Sequence, residues 1–249
     1  MALGMLDIQP TNSNLLKVYN ADAPQANQPE GPAMHALVVT AHPNTASFTH
    51  AVARRVIAGI EAHPGHTAEM ADLAGEGFDP RFTVADIEFF NRRGAAEPSV
   101  LAEQRRINRA DLLVLVYPVY WWSLPGLLKG WIDRVFTQGW AYDDTPEGGT
   151  VGKLGRLAVQ LIGIGGADRR TITRRGYAGA MRTQIDQGIF GYCGARVVGS
   201  DLLLHSDAPS RETALRQAFD IGKGLAAAAP DWRTATGSEP EERTALQRP

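Results

Sequence analysis

Three short stretches of this chain combine residue types that seldom gather without a ligand. The first, His42-Pro-Asn-Thr-Ala-Ser-Phe-Thr49, follows an apolar run and opens an amphipathic segment. Short polar side chains beside the free amides of a helix start make an anion site, suited to phosphate or pyrophosphate. An ordinary helix cap at Asn44 or Ser47 would read the same way. The second, Tyr117-Pro-Val-Tyr-Trp-Trp-Ser-Leu-Pro-Gly126, sets Tyr120, Trp121 and Trp122 beyond a proline expected to stop a central strand. Large aromatics in a loop leave apolar surface bare unless something covers it. A flat conjugated ligand would cover them, and so would a role in capping the core. The third, Ile162-Gly-Ile-Gly-Gly-Ala167, lets backbone N–H groups come close to a ring, because its glycines carry no Cβ.

Several familiar chemistries fail on spacing. Gly163 to Asp168 matches half of a dinucleotide fingerprint, but Asp168 fills its sixth position and the segment lies far from the first strand. Gly148 to Lys153 is one residue short of a P-loop, and Leu154 stands where Ser or Thr is required. There is no G-x-S-x-G elbow and no zinc-spaced cluster. Cys193 is the only cysteine, so an internal disulfide and a multi-thiolate metal site are excluded, and it reads as a small packing residue.

Loops of this kind need a frame. His35 to Ala41 and Asp111 to Tyr117 are β-branched or aliphatic runs suited to strands buried on both faces, and Arg156 to Ile162 is a third. Thr67 to Leu73 reads as a peripheral strand and Arg196 to Leu204 as a fifth. Between them, Phe48, Val52, Val56 and Ile60 share one side of a helix. Further helices are expected at Val84 to Asn91, up to Arg109, at Gly126 to Phe136, at Gly179 to Tyr192, and from a cap at Ser210 through Leu225. Gly139 to Gly152 reads as a surface stretch and Arg169 to Arg175 as a solvated loop. This alternation predicts an α/β chain with a flavodoxin-like, doubly wound parallel five-stranded sheet of order 2-1-3-4-5, with helices on both faces. Ligands then gather beyond the carboxyl ends of strands 1 and 3, where all three stretches lie.

Residues 34–230 are expected to form this one domain, preceded by a disordered extension over 1–33 and followed by a flexible tail over 231–249. Of the 249 residues, 44% are hydrophobic, ample for one core, and the net charge of −2 argues against nucleic acid. The longest run free of charged residues and histidine, Leu112 to Leu128, contains two prolines and falls short of the ~20 apolar residues of a bilayer helix. No membrane insertion is expected, and cytoplasm is the default location.

The segment Tyr117-Pro-Val-Tyr-Trp-Trp, then Leu124-Pro-Gly-Leu-Leu-Lys-Gly-Trp-Ile-Asp-Arg-Val-Phe136 and Gly139-Trp-Ala-Tyr142, resembles the NAD(P)H:quinone oxidoreductase (DT-diaphorase-like) family of flavodoxin-fold flavoproteins. His42 to Phe48, Gly165-Gly166 and Tyr192-Cys-Gly194 agree with that resemblance, which runs from about Met34 to Leu225. It implies bound FAD, with FMN as the alternative, a NAD(P)H donor, two-electron reduction of a quinone or similar acceptor, and a homodimer. By the same resemblance His42, Asn44, Ser47, Phe48 and Thr49 hold the flavin phosphates. Pro118, Val119, Tyr120, Trp121 and Trp122 line the ring, and Gly163, Ile164, Gly165 and Gly166 meet its pyrimidine edge, with Gly165 and Gly166 stabilising charge. Tyr142 covers the ring from the substrate side across a dimer interface. Thr171 stands where the family has a tyrosine, and Gly163-Ile164 where it has two threonines. The arginines at 169, 170, 174 and 175 would add positive field or hold the phosphate of NADPH. An ancillary role in a potassium efflux system, and azo- or nitroreduction, are the other activities this resemblance admits.

Overall fold

Each long apolar run becomes a buried strand, and each amphipathic segment covers a face of the resulting sheet. The computed structural model describes residues 33–204 and 210–234. Along the chain run β1 (His35–Thr40), α1 (Phe48–Glu61), β2 (Thr67–Asp72), α2 (Val84–Phe90), α3 (Pro98–Arg109), β3 (Leu112–Pro118) and α4 (Gly126–Val135). There follow β4 (Tyr142–Asp144), β5 (Thr150–Gly152), β6 (Ala158–Gly165), α5 (Arg169–Arg174), α6 (Tyr177–Met181), a π-helical stretch (Arg182–Gly191), β7 (Arg196–Leu204) and α7 (Arg211–Thr234). The main sheet is parallel throughout, in the order β2-β1-β3-β6-β7. This is the expected 2-1-3-4-5 arrangement.

Two cores sandwich the sheet. On one face Leu37, Leu113 and Leu115 pack with Ile107, Leu128, Trp131 and Phe190 from α3, α4 and the π-helical stretch. On the other, Val38, Val114 and Ile162 meet Val52, Val56 and Ile60 of α1 and Ala218 of α7. Helices α1 and α7 cross at glycine: a Cβ on Gly59 would strike the Phe219 carbonyl, and one on Gly222 the Val56 carbonyl. That close approach seats α1, whose N-terminus opens at the carboxyl edge of the sheet.

Several expectations need correction. The Gly139–Gly152 stretch is not a plain surface loop but folds β4 and β5 into an antiparallel hairpin, with Tyr142 opposite Gly152. Its strands are three residues each and mostly exposed, so no apolar alternation announces them. The arginine-rich stretch, read as a loop, forms helix α5, because Asp168 accepts a hydrogen bond from the Thr171 amide and caps it. The helix expected from Gly179 starts at Tyr177 and turns π-helical over Arg182–Gly191. Pro118 does not stop the β3 ladder; it is the last paired residue, opposite Ile164, with Val119 N–H donating to the Ile164 carbonyl. A terminal position spares proline the donor it lacks. The last helix runs past Leu225 to Thr234. Of the extension expected over 1–33, residues 1–32 lie outside the described residues, as does the expected tail from 235 on, whereas 231–234, also expected in that tail, form the last turn of α7.

Candidate active site

The register aligns Thr40 of β1 with Val116 of β3, and Val116 with Ile162 of β6. Adjacent strands stand ~4.8 Å apart, so the three loops that follow leave one rim side by side. The chain turns to opposite sides of β1 at this point, with β2 on one flank and β3 on the other. A crevice opens where the winding reverses.

In the first loop, the His42–Ser47 backbone is shaped by its own side chains. The Asn44 amide donates to His42 Nδ1 at 3.0 Å, the Asn44 carboxamide oxygen accepts from Ala46 N–H, and Ser47 N–H donates to the Asn44 carbonyl. Ser47 caps α1, its hydroxyl oxygen accepting from the His50 amide. The first turn of this 14-residue helix carries no acid, which favours an anion there. The Phe48 ring packs toward the α1/α7 core under the Arg211 guanidinium, and Thr49 is buried.

The second loop is a strained two-residue turn. Tyr120 and Ser123 exchange both backbone hydrogen bonds, at 3.2 and 3.0 Å, around Trp121 (φ 49°) and Trp122 (φ 60°). Two positive φ values in a row describe type I′ geometry, which normally selects Asn-Gly. Tryptophan in the left-handed region costs roughly 1–2 kcal/mol per residue, and such strain clusters at ligand sites. The turn is held from below: the Trp122 ring stacks on Tyr177 at 3.8 Å and 11°, and the Ser123 hydroxyl donates to Gln184 Oε1 at 2.7 Å. Trp121 itself is 94% exposed.

The third loop closes on the second. Val119, Trp121 and Trp122 face Gly165, Gly166 and Leu202 across a cavity of about 140 Å³. Gly163 and Gly165 are filled positions, where a Cβ would crowd Leu202 and Leu204, whereas Gly166 has open space around it. The amides of Trp121 and Trp122 donate to no acceptor among the described residues. Bare aromatic faces, free amides and a glycine wall suit a planar heteroaromatic group, and the capped α1 terminus suits its phosphate. The donor set fits a flavin.

Tyr142 is not part of this cavity. It lies edge-on to Tyr192 at 5.3 Å and lines a separate cavity of about 270 Å³ with Phe82, Phe90, Phe136 and Gln138. Burial, then the neighbouring Tyr192, raises its phenol above the ordinary range. Thr171 sits on α5 beside Asp168, and Ile172, one residue on, reaches the rim cavity. Sequence reasoning missed Tyr117 and Asp186, which share a cavity of about 150 Å³ with Arg169 and Ser200. Burial raises both of their proton affinities, with the charge of Asp186 adding to the Tyr117 shift. It also missed His50, whose ring bridges Ser47 and Asp72, residues no motif connects. Among the described residues no group of His, Cys, Asp and Glu could hold a metal, and no helix is long and apolar enough to cross a membrane.

A sequence profile described as flavodoxin-like fold matches residues 34–221. The chain is 30% identical over 196 residues to the ribosyldihydronicotinamide dehydrogenase [quinone] of Mus musculus, covering 71% of this chain and 84% of that protein. It is 28% identical over 190 residues to NAD(P)H dehydrogenase [quinone] 1 of Rattus norvegicus, covering 68% of each. Among solved structures, the NAD(P)H:quinone oxidoreductase from Methanothermobacter marburgensis superposes with a TM-score of 0.67 at 28% identity, over 78% of this chain and all of that one.

Proposed function

The chain belongs to the flavodoxin-like fold family, and from that premise we propose that it is a flavin-dependent NAD(P)H:quinone oxidoreductase. The observation that carries this reading is the strained Trp121–Trp122 turn facing Gly165 and Gly166 across one cavity, beside the capped start of α1. A flavin held there would supply hydride-transfer chemistry between a dihydronicotinamide and a quinone; the protein supplies orientation and electrostatics.

Each residue then has a defined task. Ser47 and the first-turn amides of α1, with His42 and Asn44 shaping the loop, hold phosphate. The Trp121 and Trp122 amides and rings would hold the ring system. Gly165 and Gly166 bring fixed backbone dipoles to its pyrimidine edge, so negative charge there meets preorganised donors instead of mobile water. Tyr177, stacked beneath Trp122, keeps the turn in its left-handed conformation. We take the flavin to be FAD, because the connection from β2 to α3 is long enough to lie over an adenine half.

We further propose a homodimer. Phe82 and Phe90 are about half exposed, and Val84 and Ile87 beside them are open as well, so α2 presents an apolar face next to the Tyr142 cavity. A second copy covering that face would bring its own Tyr142 to the substrate side of the rim.

The test is direct. Purified protein should carry or take up flavin, and should oxidise NADPH or NADH in step with reduction of a soluble benzoquinone, one quinone consumed per dinucleotide. A colourless protein that refuses added FAD and FMN overturns the reading.

A further inference from the structure

Among the described residues, seven arginines of this chain pair with acids. Arg81 pairs with Asp79, Arg92 with Asp143, Arg93 with Glu88, Arg134 with Asp86, and Arg106 with three glutamates. Helix α5 instead gathers arginines within seven residues beside the rim. Arginines stand at 169, 170, 174 and 175, all exposed, and among the described residues Arg170, Arg174 and Arg175 reach no carboxylate at ion-pair distance. A near-neutral protein has no solubility reason to concentrate unpaired cations on one short helix.

Their position supplies a reason. Gly166 and Ala167 line the rim cavity, Asp168 caps α5, and Ile172 turns back into the same cavity. The helix is therefore fixed against the site by its apolar residue, while Arg170, Arg174 and Arg175 are exposed. Asp168 is committed to its own helix. The Thr171 hydrogen bonds, and then the charges of Arg170 and Arg174, hold its carboxyl below the usual range.

We infer that Arg170, Arg174 and Arg175 form a phosphate clamp that selects a 2′-phosphorylated dinucleotide, making NADPH the donor in preference to NADH or an unphosphorylated nicotinamide riboside. The inference rests on the oxidoreductase reading for its setting but concerns binding alone. Guanidinium forks match phosphate geometry with paired, charge-assisted hydrogen bonds, and a dianion gains more from them than a hydroxyl at the same place.

The test titrates the full chain with NADP+, NAD+ and nicotinamide riboside by calorimetry. NADP+ should bind about tenfold or more tightly than NAD+, the difference shrinking with added salt. Replacing Arg170, Arg174 and Arg175 together by Ala should abolish that preference while leaving NAD+ affinity within about twofold, and the triple Lys variant should retain part of it. Equal affinity for NADP+ and NAD+ in the wild type, or equal weakening of both in the Ala variant, overturns the clamp. Steady-state rates with NADPH and NADH separate this from the function itself. Selective NADP+ binding without turnover of either donor keeps the clamp and sinks the oxidoreductase reading. Turnover with no preference does the reverse.

Discussion

The His50 ring lies with Nδ1 2.9 Å from the Ser47 hydroxyl oxygen and Nε2 3.0 Å from an Asp72 carboxylate oxygen. One imidazole, 1% exposed, thus lies between the phosphate-type loop after β1 and the end of β2, in hydrogen-bond contact with Ser47 and at ion-pair distance from Asp72 without a hydrogen bond to it. Truncating it leaves the Asp72 carboxylate, among the described residues, with only the Gly75 amide as donor and loosens the helix cap. We expect His50→Ala to lower unfolding stability by about 2–3 kcal/mol. In denaturant the midpoint should fall with the slope unchanged, and His50→Asn should recover part of the loss. A midpoint equal to that of the wild type would mean the bridge contributes nothing net.

Trp121 offers the opposite case, a side chain that folding does not need. It is almost fully exposed and held at φ 49°. Trp121→Gly should leave stability unchanged or raise it by up to about 1 kcal/mol, since glycine accepts that conformation freely. Flavin retention should drop by about 1–2 kcal/mol for the lost aromatic face, or roughly 5- to 30-fold in dissociation constant. Stability and affinity moving in opposite directions is the signature of a residue kept for its ligand. Loss of both, or of neither, would place the ring system elsewhere.

The strands that build the rim were legible because burial on both faces leaves a one-letter pattern: Leu37 to Thr40, Leu112 to Tyr117 and Ala158 to Ile162 are apolar at nearly every step. The three loops followed from strand order alone. What the sequence concealed is conformational. Tryptophan is no turn former, so nothing in Trp121-Trp122 signals a left-handed pair; the Tyr177 stack and the Gln184 hydrogen bond impose it from elements about 55 and 61 positions away. The π-helical stretch escapes for a related reason. Its Ile185 and Phe190 are five apart, a spacing that one-face helical periodicity does not seek. The Ser47–His50–Asp72 bridge joins a loop, a helix and a strand, and only the β1–β2 pairing brings Asp72 opposite Thr40.

The α1/α7 crossing should be intolerant of any side chain. A Cβ at Gly59 would overlap the Phe219 carbonyl and approach the Lys223 amide nitrogen to 2.8 Å, both backbone atoms that cannot rotate aside. Helix propensity favours Gly59→Ala by roughly 1 kcal/mol. The steric cost should outweigh it, giving a net loss of about 1–3 kcal/mol by thermal or chemical unfolding. A more stable Gly59→Ala variant would show that α7 can slide away from α1 without harm.

Acid stability should hinge on Asp86. Its carboxylate is buried beside α4, accepting from Arg134 Nε at 3.0 Å and Nη2 at 3.2 Å, and from the Thr83 amide and hydroxyl at 2.7 and 2.8 Å. Burial alone would raise its pKa, but the Arg134 and Thr83 hydrogen bonds overcome burial and hold it below the usual carboxylate value. A depressed folded-state pKa contributes stability above the unfolded value of ~3.9, and that contribution drains away as pH falls through the folded value. Asp86→Asn removes the charge at every pH and leaves the Arg134 guanidinium buried without its anion, a loss of about 3 kcal/mol near neutrality. The gap between wild type and variant should stay wide at pH 7 and narrow as pH drops below about 4, because protonated Asp86 abandons Arg134 in the same way. Urea midpoints of both proteins across that range test the argument. A constant gap would show that Asp86 acts through its shape and the Thr83 cap rather than through its charge.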